Sequence, residues 1–535
     1  MASPDVADVL VIGSGASGGA VSWRLAEAGF KVTCLEQGRW LDPSQYVTKD
    51  PDWEFRGMTD WAFDPNVRRL PEDYPVNDSA SPISPLMFNA VGGSTIHWTG
   101  HTPRFHPSDF RVKTLDGAAD DWPLTYDELA PYYELNDVMM GCSGIDGDPA
   151  NPPRNPRPLP PLPLGPDGVR MAQAFDKLGW HWWPSDSYVN SLPYDGRPAC
   201  NNCGPNGLGC YVRAKGSTDV TYWPKAIKAG AVLKTRCRVF EITVDSQGRC
   251  TGAAYYDGNG RIQQARARAV IVACNGVGTP RLLLASRSRR HPNGLANSSG
   301  LVGRNLMFHP YAIVVGVFAD VSQARKGPLG NILMSQEFYE TDPKRDFIRG
   351  YTYQMGRSPG PAGTAVSWAG NFVPWGVRHH EEFMRRFGHA LSLAVISEDL
   401  PEAHNSVTLD ARLADSNGIP SPRITYKVSA NTRRLLDHGI SKARQVFEVA
   451  GAHTVMVNPI LRQGGWHLMG TARMGDSPET SVLNRWGQAH DVDNLFVVDG
   501  STFVTSAAVN PTPTIQALAL RTADHIIRER GTFRG

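Results

Sequence analysis

A chain of 535 residues is too long for one hydrophobic core, so two domains or an elaborated double-layer architecture is expected. Its 41% hydrophobic and 20% charged residues are ordinary for a soluble globular protein, and a formal charge of +2 speaks against nucleic acid or a charged membrane surface as partner. No apolar run nears the roughly 20 residues needed to cross a bilayer, the opening MASPDVADVLVIG has no basic segment before its apolar run, and eight cysteines are not a disulfide framework, so a cytoplasmic protein without membrane insertion is expected.

The first 38 residues contain ADVLVIGSGASGGAVSWRLAEAGFKVTCLEQG, which reads as strand, glycine turn, helix and strand. The turn is Gly13-x-Gly15-x-x-Gly18 with Ala16 and Ser17 inside it, and Gly29 falls where a left-handed helix end belongs. Glycines let the backbone approach a pyrophosphate, the helix N-terminus offers partial positive charge, and Glu36 stands where an acid accepts from a ribose hydroxyl. A carboxylate there disfavours a 2′-phosphate but does not separate NAD from FAD.

Residues 53–78 show no periodicity; FNAVGGSTIHWTGHTPRF then brings Gly92, Gly93, Ser94 and His97. A helix is expected after Pro123, with Leu129, Tyr132 and Tyr133 on one face, and the Pro-dense 149–166 reads as an extended connector. Cys200, Cys203 and Cys210 follow with C-x₂-C-x₆-C spacing. They are read as reduced thiols or a local disulfide in a loop, since a fourth ligand for zinc or a cluster is absent nearby. Residues 229–276 alternate like antiparallel strands with turns at Asp245–Gly248 and Asp257–Gly260, closing on AVIVACNG. A helix with Pro280 in its first turn comes next. In VSWAGNFVPWG (366–376) the aromatics can stack on sugars, line an apolar tunnel or belong to the core. The imidazole of His467 in GGWHLMGTARMG can be a core group or a base, and the stretch alone leaves both open. NLFVVDG reads as a last strand, and Ile515, Leu518, Ala519, Thr522 and Ile526 mark a last helix.

Taken together, VIGSGASGG with Glu36, VGGSTIHW, VIVACNGVGTPRLLLAS, GLVGRNLMFHP, EDLPEAHNSVTLD, HLMGTARMG and NLFVVDGSTFVTSAAVNPTPTIQALALRTADHI run in the order of the glucose–methanol–choline (GMC) flavin oxidoreductases. The chain resembles that family over nearly its whole length, and most of all its gluconate dehydrogenase, pyranose and glycoside-oxidising branch. The resemblance implies an α/β, two-domain fold: a Rossmann-like FAD domain built from separated segments, and a substrate domain with an antiparallel sheet. The expected divisions are 1–105, 215–315 and 456–535 for the FAD domain, and 106–214 and 316–455 for the substrate part. It implies FAD, held by the residues already named with Val239, Ala273, Asp499, Gly500 and Thr512, and oxidation of a sugar or glycoside hydroxyl. The rival substrate is a long-chain or aromatic alcohol. Electrons pass to oxygen or another acceptor, including a partner subunit.

Within the resemblance His467 is the base that takes the hydroxyl proton as hydride leaves for flavin N5, and Asn510 is its partner at the start of the last helix. A neutral imidazole suits this role, since its reference pKa of about 6.5 leaves it mostly unprotonated at neutral pH. An amide donor beside it holds the developing oxyanion. By itself Asn510 also reads as a helix N-cap, with Pro511 and Pro513 in the first turn. His97 falls where relatives bond a histidine to the flavin; bond, contact and packing are its three readings, the bond not being favoured.

Overall fold

The computed structural model describes residues 6–322, 325–328, 330–367 and 373–533. The first strand, β1 (Ala7–Ile12), is buried at all six positions, as its unbroken apolar run requires of a strand covered on both faces. It pairs in parallel with β2 (Val32–Leu35) through Val9↔Val32 and with Ile262–Val272 through Val9↔Ala269. Between β1 and β2 runs the helix α1 (Ala16–Glu27).

Among the described residues this sheet has seven strands. Val232–Lys234 extends its parallel edge beyond β2, which corrects the expectation of antiparallel strands throughout 229–276. Arg238–Val244, Cys250–Tyr256 and Ile262–Val272 are antiparallel to one another, with turns at Asp245–Gly248 and Asp257–Gly260 as read from sequence. Ile262–Val272 changes partners midway. Residues 262–266 pair with Cys250–Tyr256, whereas 267–272 lie between β1 and the last strand, Leu495–Val497. The sheet is thus assembled from three distant stretches of chain.

The helix Asn275–Ala285 begins five residues before Pro280, so that proline is interior and not in the first turn. Its missing N–H leaves the Gly276 carbonyl without its helical donor. The Thr471 hydroxyl donates to that carbonyl at 2.7 Å, which ties the helix to the segment bearing His467. The last helix, Thr512–Arg528, packs on α1, with Arg24 Nε donating to Asp524 Oδ1 at 2.6 Å. Tyr126–Met140 is helical and buries Leu129 and Tyr133, with Tyr132 half-buried. Helix Gly165–Leu178 begins within the end of the Pro-dense connector.

Among the described residues a second sheet of six antiparallel strands runs Thr454–Asn458, Tyr311–Val317, Ala390–Ser397, Tyr351–Gly356, Leu333–Ser335 and Trp183–Pro184. Helices Ala430–Val449 and Gly165–Leu178 close its far face over one apolar core. The expected boundaries at 315/316 and 455/456 fall inside two of these strands. Of the aromatics in 366–376, Trp368 and Phe372 lie outside the described residues, and Trp375 is 79% exposed, so the latter is not core.

Where the sheets meet, a buried guanidinium gathers acids. Arg349 is 1% exposed; its Nε donates to Glu398 at 2.9 Å, its Nη atoms pair with Asp109 and Asp116, and Glu340 lies 3.6 Å away. Tyr339 donates to Asp109 at 2.7 Å and accepts from the Ala508 N–H at 3.4 Å, so the cluster backs the stretch that leads to Asn510.

Candidate active site

A cavity of about 530 Å³ runs from the C-terminal ends of β1 and β2 to the face of the antiparallel sheet. At the nucleotide end, α1 starts at Gly15, which makes no side-chain cap, so the first N–H groups of this 12-residue helix are open to an anion. Gly13 has φ +98°, and a Cβ there would stand 2.4 Å from the Ala273 carbonyl oxygen. Replacement by alanine is therefore expected to give protein purified without its yellow absorbance, because the turn must open where the pyrophosphate is to sit. Glu36 is buried at the end of β2; Oε2 accepts from the Ser14 N–H at 2.9 Å and its hydroxyl at 2.7 Å, and Oε1 from the Gly38 N–H at 2.8 Å. Burial outweighs these bonds and raises its pKa. Lone pairs remain for a ribose hydroxyl.

The cavity wall contains Gly13, Gly15, Ala16, Ser17, Glu36, Gly93, Ser94, His97, Val239, Ala273, Asp499, Gly500, Asn510, Thr512 and His467. Two expected residues are not in it. Gly18 faces the turn, where a Cβ would meet the Gly13 carbonyl at 2.0 Å, so its part is close helix–strand packing. Gly92, at φ +98°, abuts Asp219 instead. Asp499 accepts from Thr279, Ser501 and the Asn275 N–H, and so joins the last strand to helix Asn275–Ala285.

His97 is 5% exposed and caged by Phe88, Trp61 and Phe63, with ring centroids 4.0, 5.5 and 5.1 Å away. Neither ring nitrogen has a hydrogen-bond partner among the described residues. Burial first, then the charges of Arg68 and Lys215, keep its pKa well below 6.5. Lys215, a residue that sequence reasoning missed, is buried and donates to the carbonyls of Ile96 (2.7 Å), Trp98 (2.5 Å) and Asn206 (2.6 Å). It fixes the loop that presents His97. An uncapped helix start, a glycine turn and two unsatisfied imidazole nitrogens fit a flavin dinucleotide.

At the other end His467 is 9% exposed, and its Nδ1 lies 2.7 Å from Nδ1 of His309. His309 is fully buried, and its Nε2 faces the carbonyls of Ser506 (3.1 Å) and Ala507 (2.8 Å). Carbonyls only accept, so His309 carries its proton on Nε2; burial holds its pKa down at about 4, and Nδ1 keeps a lone pair. His467 must then donate from Nδ1, which leaves Nε2, on the other side of the ring, as the unprotonated nitrogen. His309 is the last residue but one of the quoted GLVGRNLMFHP, but its role rests on a partner 158 residues away and has no local signal.

Asn510 is not the N-cap. The last helix begins at Thr512 after Pro511, whose side chain makes no cap bond, and Asn510 sits one residue earlier. Its Oδ1 accepts from Gln354 Nε2 on strand Tyr351–Gly356. With the oxygen occupied, the amide N–H groups are the free side. Pro511, Thr512 and Ile515 place the N-terminal turn of the helix at the cavity.

The three loop cysteines are unbridged, and no group of three ligating side chains among the described residues is arranged to hold a metal. Burial pushes the Cys203 thiol up to about 11 and raises Cys200 as well, so neither is a thiolate at neutral pH. No helix among the described residues is long and apolar enough to cross a membrane.

Residues 171–311 and 401–519 match family models described as GMC oxidoreductase, and residues 11–70 match a NAD(P)-binding Rossmann-like domain. The chain is 45% identical to 2-methyl-1,2-propanediol dehydrogenase of Mycolicibacterium austroafricanum, over 98% of this chain and 96% of that one. It is 31% identical to the fructose dehydrogenase large subunit of Gluconobacter japonicus, over 98% of each. Pyridoxine 4-oxidase from Mesorbium loti shares the fold, with a TM-score of 0.63 at 17% identity over 97% of this chain and 99% of that one. With that fold and that cavity, the chain belongs to the GMC oxidoreductases, FAD enzymes that act on alcohol or sugar-like hydroxyls.

Proposed function

We propose that this enzyme oxidises one hydroxyl of a polyhydroxylated substrate, a diol or a sugar, with His467 as base and Asn510 as hydrogen-bond donor to the reacting oxygen. The observation that carries the reading is the 2.7 Å His467–His309 contact, which commits one nitrogen of His467 and leaves the other with its lone pair in a cavity wall shared with Asn510. Bound FAD supplies the hydride acceptor. The residues of the chain do the rest.

A neutral imidazole is a much weaker base than an alkoxide, so the hydroxyl proton leaves only as charge develops and is held. When Nε2 of His467 takes that proton, the ring becomes cationic and its Nδ1–H bond to His309 strengthens. His309 spreads the charge toward two carbonyls, and no acid among the described residues bears on either ring to fix it there. Gln354 meanwhile keeps the Asn510 amide turned so that it donates. Asn510→Asp removes that donor and adds a negative charge, so it is expected to slow turnover about 10²-fold while leaving FAD loading nearly intact. Equal losses in both would sink the role.

The relatives named as a diol dehydrogenase and as a fructose dehydrogenase subunit favour polyhydroxylated donors, and they favour transfer of electrons to an acceptor other than oxygen. Anaerobic mixing with diols, sugars and apolar alcohols, followed by flavin absorbance, tests the first point. Bleaching by apolar alcohols alone would overturn it. Slow return of colour on admitting air is the result expected for the second.

A further inference from the structure

Two residues beyond His309 the chain sets a phenol beside the base. Tyr311 opens strand Tyr311–Val317, is 6% exposed and lines the cavity, and its ring centroid lies 5.9 Å from that of His467. Trp466 stands edge-on to it at 5.3 Å, and the Leu461 N–H donates to its carbonyl at 2.8 Å, so the segment that leads to His467 wraps the ring. The two stretches of chain that fix the His309–His467 pair thus also fix Tyr311.

Packing does not explain the hydroxyl. The ring clusters with Ile396, Leu461, Ile313 and Ala394, all apolar, and phenylalanine would fill the same space. No group among the described residues hydrogen-bonds to the phenol oxygen, and it is not one of the sealed polar atoms, so it opens on the cavity that the ring lines. Burial raises its pKa, which keeps it a neutral phenol that can give one hydrogen bond and accept another. A buried hydroxyl of this kind is satisfied only by what fills the cavity. In an otherwise apolar patch, one such group fixes which way round a ligand lies.

We propose that Tyr311 binds a second, non-reacting hydroxyl of the donor, so that the enzyme selects alcohols with a hydroxyl on the carbon next to the one oxidised. The proposal rests on the reading of His467 as the base. With ring centres 5.9 Å apart, the phenol oxygen and Nε2 of His467 are close enough to be joined by an O–C–C–O unit with a hydrogen bond of about 2.8 Å at either end. The hydroxyl held by Tyr311 changes neither charge nor bonding in the reaction. Its hydrogen bond is therefore as strong before the transition state as in it, and it tightens binding without raising the limiting rate.

The test is anaerobic flavin reduction of the FAD-loaded enzyme by 1,2-butanediol, 1,4-butanediol and 1-butanol, which share a primary hydroxyl and carry an adjacent, a distant and no second hydroxyl. The 1,2-diol is expected to show an apparent Kd about tenfold below the other two. In Tyr311→Phe that advantage should shrink to about twofold or less, with the limiting rate of reduction by the diol within about threefold of its native value. Equal Kd values for the three in the native enzyme, or an advantage that survives Tyr311→Phe, would overturn the subsite and leave the base intact. A fall in limiting rate shared by all three would also overturn it, since Tyr311 would then act on the reacting oxygen or support the fold. If none of the three reduces the flavin, the oxidising end is misread, and calorimetry with pinacol, a vicinal diol without hydrogen on its carbinol carbons, decides the subsite. Binding about fivefold or more tighter than that of 2,3-dimethyl-2-butanol, lost in Tyr311→Phe, supports it, and equal or absent binding overturns it.

Discussion

Replacing His467 by glutamine is expected to slow flavin reduction by about 10²–10⁴-fold with FAD still bound, the range for loss of a positioned general base. Glutamine keeps a donor for His309 but has no basic nitrogen. The pH profile adds a separate check. Burial first, then the like charge of His309, hold the His467 pKa well below 6.5. The active form is unprotonated, so activity is lost only as pH falls through that lowered value, and the rate should be flat between about pH 6 and 8. An unshifted histidine would lose half its activity near 6.5. His309→Phe removes the acceptor that orients the His467 ring and takes its Nδ1–H bond, so it should lower the rate. A variant with an unchanged rate would refute the pairing.

Arg349→Met is expected to cost about 3–5 kcal/mol of stability, the usual result of leaving buried charges without their partner. Glu398 and Asp109 are both buried, and Arg349 is the first of the influences that oppose the upward push of burial on their pKa values. Without it these carboxyls stay protonated in the folded chain but ionise freely above about pH 4.5 when unfolded. The native state then binds more protons, and stability falls as pH rises. Chemical denaturation at pH 5 and pH 8 should therefore show a larger deficit at pH 8. A deficit independent of pH would mean that Arg349 acts by packing alone.

What the sequence disclosed follows the range of the forces involved. The β1–turn–α1–β2 unit is readable because Gly13, Gly15 and Glu36 act on neighbours within 24 positions of one another. The last helix is also readable, although its start was misplaced: Pro511 itself occupies the cap position and leaves Asn510 one residue outside. Pro280 was misplaced for a different reason, since the carbonyl it orphans is satisfied by Thr471, far along the chain. Partners at such distances leave no periodicity. His309, Gln354 and Lys215 act through residues 158, 156 and about 120 positions away, so only the folded chain brings them to the site.

The long strand Ile262–Val272 bears on how the molecule is made. Its second half is paired on one side to residues near the N-terminus and on the other to Leu495–Val497. On a ribosome the first partner has long been waiting when this strand emerges, but the second is translated more than 220 residues later. Until then a hydrophobic edge in the middle of the nucleotide sheet has no neighbour. Such high contact order predicts slow, largely post-translational completion, with a window in which the open edge invites aggregation or a holding chaperone. FAD bound in the cavity, whose wall includes residues next to all three stretches, would favour the completed form and close that window.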